Sequence, residues 1–105
     1  MINVQSEILD LLKLILRQHL PVDTRVLAFG SRLSSNNKNS DIKKHADLDL
    51  AIISNPPLSL ALMGKLRLEL EDSDIPFKID LLNWADLSFE FREVIQKSSE
   101  ELLRC

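Results

Sequence analysis

Cysteine is almost absent from this chain: Cys105 is the only one, and it stands at the last position. That excludes an internal disulfide, suggests a solvated terminal thiol and fits a reducing compartment. An excess of positive charge is missing too. Thirteen Lys and Arg face 16 Asp and Glu, for a formal net charge of -3. This argues against non-specific binding to DNA or RNA, which cations near phosphates drive. One small anionic ligand remains admissible, because a local site can oppose the global sign. Long hydrophobic runs are also lacking. The most apolar early stretch, ILDLLKLILRQHL, is broken by Asp10, Lys13 and Arg17, so neither a membrane span nor a signal peptide is expected. Glycine occurs twice, and there is no internal repeat, low-complexity tract or linker. The expectation is a cytoplasmic chain whose residues 1–105 form a single domain around one modest core.

What is present is ordinary globular material, 45% hydrophobic and 28% charged. Val4, Ile8, Leu11, Leu12, Ile15 and Leu16 recur at helical spacing, with charged residues opposite, and predict an amphipathic helix from Val4 to Leu20. Pro21 ends it, since the residue before a proline avoids helical angles. RVLAF, Arg25 to Phe29, reads as a short buried strand running into Gly30. One or two helical turns are expected from Ser31 to about Ser35, then a mobile polar loop from Asn36 to Ala46. DLDLAII, Asp47 to Ile53, reads as a second strand, Ser59 to Asp72 as a helix, and FKIDLLN, Phe77 to Asn83, as a third strand. A last helix is expected to open at Asp86, with the tail KSSEELLRC extending it or fraying. This alternation predicts an α/β or α+β fold in which helices cover a small sheet.

The stretch LAFGSRLSSNNKNSDIKKHADLDLAII, residues 27 to 53, carries the chemistry. Alternation along a strand puts Asp47 and Asp49 on one face, with α-carbons about 6.5 Å apart. Asp80 lies in the third strand and joins them if the second and third strands are neighbours. Carboxylates that close repel one another unless a cation sits between them. Oxygen-only ligands select a hard ion, and few carboxylates combined with substrate phosphates suit Mg²⁺. Gly30 lets a phosphate approach the backbone, Ser31 adds a hydroxyl donor, and Arg32 offers a planar cationic fork to phosphate oxygens. An anion-gripping turn beside metal-binding carboxylates describes a site for a metal-bound nucleoside triphosphate.

Each piece also has an innocent explanation. Gly-Ser after a strand is usually only a turn, and Asp-x-Asp at a strand start more often caps or solvates an edge. Asp80 alone would most often pair with a basic residue such as Lys78. Lys38, Lys43, Lys44 and His45 read as a solvated loop, His19 as a partner of its helix terminus, and Trp84 as packing. The conjunction of the three motifs, in this order on three strands, is the informative part.

These motifs resemble those of the minimal nucleotidyltransferases of the DNA polymerase β superfamily. FGSR (Phe29 to Arg32) is similar to their glycine-serine motif, DLDL (Asp47 to Leu50) to their paired aspartates, and KIDLL (Lys78 to Leu82) to the strand bearing the third. DLDLAIIS, PLSLALMGKL and IPFKIDLLNWADLSFEFREVI resemble the short stand-alone members encoded beside a helical HEPN-type partner. Two departures stand out: a longer stretch between Ser31 and Asp47, and Ala46 where a serine is common.

The resemblance implies a small mixed sheet flanked by helices, as in a polymerase palm. It also implies Mg²⁺-dependent transfer of AMP from ATP, or of another nucleoside monophosphate, to an acceptor hydroxyl. By the same resemblance Gly30 and Ser31 hold the triphosphate, Asp47 and Asp49 bind both metals, and Asp80 binds the metal nearest the attacking oxygen. Paired members are similar to antitoxins that AMPylate a tyrosine of their HEPN toxin, a ribonuclease. The chain is short, so the acceptor site is expected to form with another subunit, the HEPN-type protein, and self-association is left open. The rival is a non-catalytic nucleotide-binding subunit that neutralises or complements a helical partner by burying an interface. Exposed Phe89 or Phe91 would favour it.

Overall fold

The computed structural model describes residues 4–30 and 48–105. The helical turns expected at 31–35 and the polar loop expected at 36–46 lie outside them. The periodic apolar residues near the N-terminus form α1 (Ser6–His19), which buries Leu12, Ile15 and Leu16. It ends where Pro21 requires, with Leu20 already extended at ψ 139°. Then follow β1 (Arg25–Phe29), β2 (Leu48–Ile53), α2 (Leu60–Glu71), β3 (Ile79–Asn83), α3 (Phe89–Ser98) and β4 (Glu100–Arg104). Ser59 caps α2 by accepting the Leu62 N–H through its hydroxyl at 3.1 Å.

The four strands make one mixed sheet in the order β3-β2-β1-β4. β1 runs antiparallel to both β2 and β4, whereas β2 and β3 are parallel and joined through α2. A parallel pair needs such a crossover, because no tight turn can return a chain to the same direction. The expected mixed sheet with flanking helices is therefore what the chain forms.

Alternation divides each strand between two unequal faces. Val26, Ala28, Leu48, Leu50, Ile52 and Leu81 turn toward α1 and α2 and join the main core. The opposite face holds a small cluster of Leu27, Ala51 and Ile95, the last supplied by α3, with Phe29, Ile53, Trp84 and Leu87 at its margin. Trp84 packs there, as expected, with the Arg92 guanidinium 5.5 Å from its ring centre.

Three expectations at the C-terminal end need correcting. The last helix does not open at Asp86: Trp84–Asp86 form a single 3-10 turn, and α3 begins after Ser88, whose hydroxyl accepts the Phe91 N–H at 3.1 Å. A serine that can cap competes successfully with an acidic residue two positions earlier. The tail neither extends the helix nor frays but forms β4 against β1. Glu-Glu-Leu-Leu-Arg favours helix intrinsically, so the strand comes from the second edge of β1, which a backbone partner can satisfy. Register slips between Val26↔Leu103 and Leu27↔Glu101, leaving Leu102 as a bulge residue. The bulge lets two consecutive leucines, Leu102 and Leu103, both enter the main core. Finally, Cys105 is half-buried rather than solvated, and burial pushes its thiol pKa up. Its N–H donates to the Thr24 carbonyl at 2.9 Å, which continues the β4 pairing.

Candidate functional site

The sheet brings two of the three candidate acids together. Asp49 and Asp80 are register partners on the parallel strands β2 and β3. Neighbours in register share a face, and adjacent strands lie about 4.8 Å apart. Both residues are half-buried, and both occupy the thinly covered face, opposite the leucines of the main core. Leucines at positions 48, 50 and 81 anchor the two strands from beneath, so the carboxylates are carried on a rigid floor. Asp47, one of the paired aspartates, lies outside the described residues, as do Ser31 and Arg32.

Gly30 follows the last residue of β1, Phe29, which is itself the register partner of Asp49. Its φ is +92°, a conformation that side-chain-bearing residues rarely adopt. A β-carbon here would also collide with Oδ2 of Asp49. Sequence reasoning assigned this glycine to phosphate approach. The structure adds that glycine is needed first for the Asp49 carboxylate to lean against the end of β1.

The innocent explanation of Asp80, a pair with Lys78, is not realised. Among the described residues the ion pairs join Glu101 to Arg25 and to Arg104, at the far edge of the sheet. Asp80 and its register partner form a site with clustered negative charge. Half-buried oxygen donors on adjacent strands suit a hard divalent cation, whose charge offsets their repulsion. Among the described residues no group of three potential metal ligands occurs, so any third donor must come from elsewhere.

A feature not legible in the sequence lies just beyond Asp80. A cavity of about 630 Å³ opens at the N-terminal end of β3, against the C-terminal half of α2. Arg67, Leu70, Ile75, Phe77, Lys78 and Asp80 are among its walls. Arg67 is fixed there, donating from Nη2 to the Leu81 carbonyl at 3.1 Å. The only hint in the sequence is the interval between the α2 helix pattern and the third strand.

Comparisons with known proteins bear on this arrangement. Residues 10–104 match the family model described as Polymerase beta, Nucleotidyltransferase. The chain is 44% identical over 96 residues, 91% of its own length and 79% of the relative's, to a "Probable protein adenylyltransferase MntA" of Haemophilus influenzae. Its fold matches a toxin–antitoxin structure with AMP-PNP at a TM-score of 0.73 and 18% identity, covering 92% of this chain and 73% of that one. It also matches a chain from the complex of a tri-AMPylated Shewanella oneidensis HEPN toxin with its MNT antitoxin. There the TM-score is 0.71 and the identity 19%, over 97% of this chain and 74% of that one.

Proposed function

The chain belongs to the polymerase beta nucleotidyltransferase family, and from that premise we propose that it transfers AMP from ATP to a hydroxyl of a helical HEPN-type partner, as the antitoxin of a toxin–antitoxin pair. The observation that carries this reading is the register pairing of Asp49 with Asp80 on one face, with Gly30 pressed against Asp49. The relative's printed name and the AMPylated complex among the similar folds support the adenylyl group and the partner class.

The reaction forms a bond from the acceptor oxygen to the α-phosphorus and breaks the bond from that phosphorus to the pyrophosphate oxygen. Asp47, Asp49 and Asp80 hold Mg²⁺ in this reading. When bound, such an ion neutralises charge on the departing pyrophosphate and eases loss of the hydroxyl proton. Gly30, Ser31 and Arg32 grip the triphosphate, with the glycine backbone open to phosphate and the guanidinium forked onto its oxygens. Asp80, at the β3 edge, receives the proton of the acceptor hydroxyl.

The test is incubation with α-labelled ATP, Mg²⁺ and the HEPN-type protein encoded beside this chain. Label should appear on the partner, and Asp49→Asn or Asp80→Asn should lower the rate by about a hundredfold or more, as loss of several kcal/mol of charge stabilisation implies. Melting temperatures should stay near that of the wild type. A folded wild type that labels nothing would refute the reading.

One observation favours the non-catalytic rival: Phe89 is 70% exposed and Val94 59%, on the outer side of α3. Apolar surface of this kind suits a covering partner. If an Asp47/Asp49/Asp80 triple alanine variant silenced the partner fully, interface burial rather than transfer would be the mechanism.

A further inference from the structure

The end of β1 is paired on one side only. Phe29 is the register partner of Asp49 on β2, but the β4 ladder stops one residue earlier, at Ala28↔Glu100. A strand end with a single neighbour opens locally at little free-energy cost. This end matters to the site, because Gly30 follows it and the Asp49 carboxylate leans against that glycine. Beyond Gly30 come Ser31 and Arg32, the rest of the proposed triphosphate grip.

A side chain of α3 supplies a second hold. Phe91 meets Phe29 edge to face, with ring centres 6.1 Å apart and ring planes at 85°. The negative face and positive edge of aromatic rings favour that arrangement. Phe29 lies on the thinly covered face, in one row with Asp49 and Asp80. Ile95, one turn further along α3, is fully buried against Leu27 and Ala51 and fixes the helix to the sheet. Arg92 donates from Nε to the Trp84 carbonyl at 3.0 Å, which ties the helix start to the segment after β3. Anchored at both points, α3 carries Phe91 at a set height over the end of β1. Phe91 is itself 38% exposed, so it adds little to the core.

Resting on the function proposed above, we infer that Phe91 is a positioning residue for the donor: through Phe29 it keeps the end of β1 in the conformation that the triphosphate binds. The ring touches no reacting atom. It raises the fraction of molecules in which Gly30 and Asp49 are already arranged, and apparent affinity scales with that fraction. Once the triphosphate is bound, its own contacts hold the turn, and the chemical step starts from the same complex. The signature is weaker donor binding at unchanged kcat.

The experiment uses the full chain and two probes, Mg²⁺-ATP and Mg²⁺-tripolyphosphate, the second lacking base and sugar. Dissociation constants are measured by calorimetry for wild type, Phe91→Ala and Phe91→Leu, with kcat and KM for ATP from labelled transfer. Phe91→Ala should weaken both probes by the same factor, about fivefold or more, as a competent fraction of about one fifth or less implies. Its kcat at saturating ATP should stay within about twofold of wild type. Phe91→Leu, which still packs on Phe29, should recover most of the affinity. If Phe91→Ala fails to fold, Phe91→Gln removes the ring while keeping a good helix former.

Unchanged affinity in the folded variants overturns the inference. So does a loss confined to ATP, which would show the ring touching the nucleoside. A fall in kcat at unchanged affinity also overturns it, as does a Phe91→Leu that binds no better than Phe91→Ala. If the wild type binds ATP but labels no partner, the proposed transfer fails, while the binding comparison still decides the role of Phe91. A wild type that binds neither probe removes both.

Discussion

The two faces of the sheet are built to different standards. One is sealed: seventeen buried residues among those described, from α1, α2, all four strands and the connecting segments that hold Leu20, Leu58 and Ile75, form a continuous leucine-rich core. The other is thinly covered, with three buried residues under α3. Both carboxylates occupy the thin face. Close packing excludes water and charge, so clustered acids need the face where coverage stops. The thick face supplies the rigidity and the thin face the access.

Cutting a cavity in each face tests that contrast most strongly. Leu50 and Ile95 are both fully buried. Leu50→Ala should cost about 4 kcal/mol by urea denaturation, because its surroundings cannot collapse, and Ile95→Ala about 2 kcal/mol. Equal losses would break the distinction between sealed and thin faces. Neither measurement involves the partner.

The two glycines sharpen the comparison at the backbone. Gly30→Ala meets both a positive φ and the Asp49 carboxylate, and should cost about 1–3 kcal/mol with a fall in transfer rate. Gly64 sits inside α2, and a β-carbon there meets nothing within 4 Å. Gly64→Ala should stabilise by up to about 1 kcal/mol. Thermal melts of the two variants should therefore move in opposite directions, and a stabilising Gly30→Ala would mean that the Asp49 contact is not enforced.

The smallest effect concerns the β4 edge. The Arg25 guanidinium, at 2.7 Å, and then Arg104 hold the Glu101 carboxyl below its ordinary value. A depressed folded pKa contributes stability above the unfolded carboxylate pKa, and that stability is lost as pH falls through the folded value. The melting-temperature advantage of wild type over Glu101→Gln should be present at neutral pH and vanish in acid. It should be small, because the pair is solvent-exposed, and should shrink with salt. An advantage that grew in acid would contradict the assignment.

How legible was this in the chain? Helix α1, strand β1 and the bodies of β2, α2 and β3 follow from local periodicity and from Pro21 and Ser59. The Gly30, Asp49 and Asp80 motifs could be read as residues, but their adjacency could not, since it depends on β3 lying beside β2 in register. Positions 31, 32 and 47 lie outside the described residues. The tail was misread because Glu-Glu-Leu-Leu-Arg carries a helical preference that one free strand edge overrides. The Cys105 environment was misread for the same reason, since β4 draws the terminus in.

By itself the sequence determined which residue types could bind phosphate and a hard cation, and which segments could be helix or strand, because those properties reside in side chains and in patterns a few residues long. Tertiary structure alone decided that two acids 31 positions apart become neighbours, that Gly30 must lack a side chain to admit Asp49, and that the last five-residue strand closes the sheet. Strand pairing is a non-local contact between backbones, and backbones carry no sequence label until register and burial choose among them.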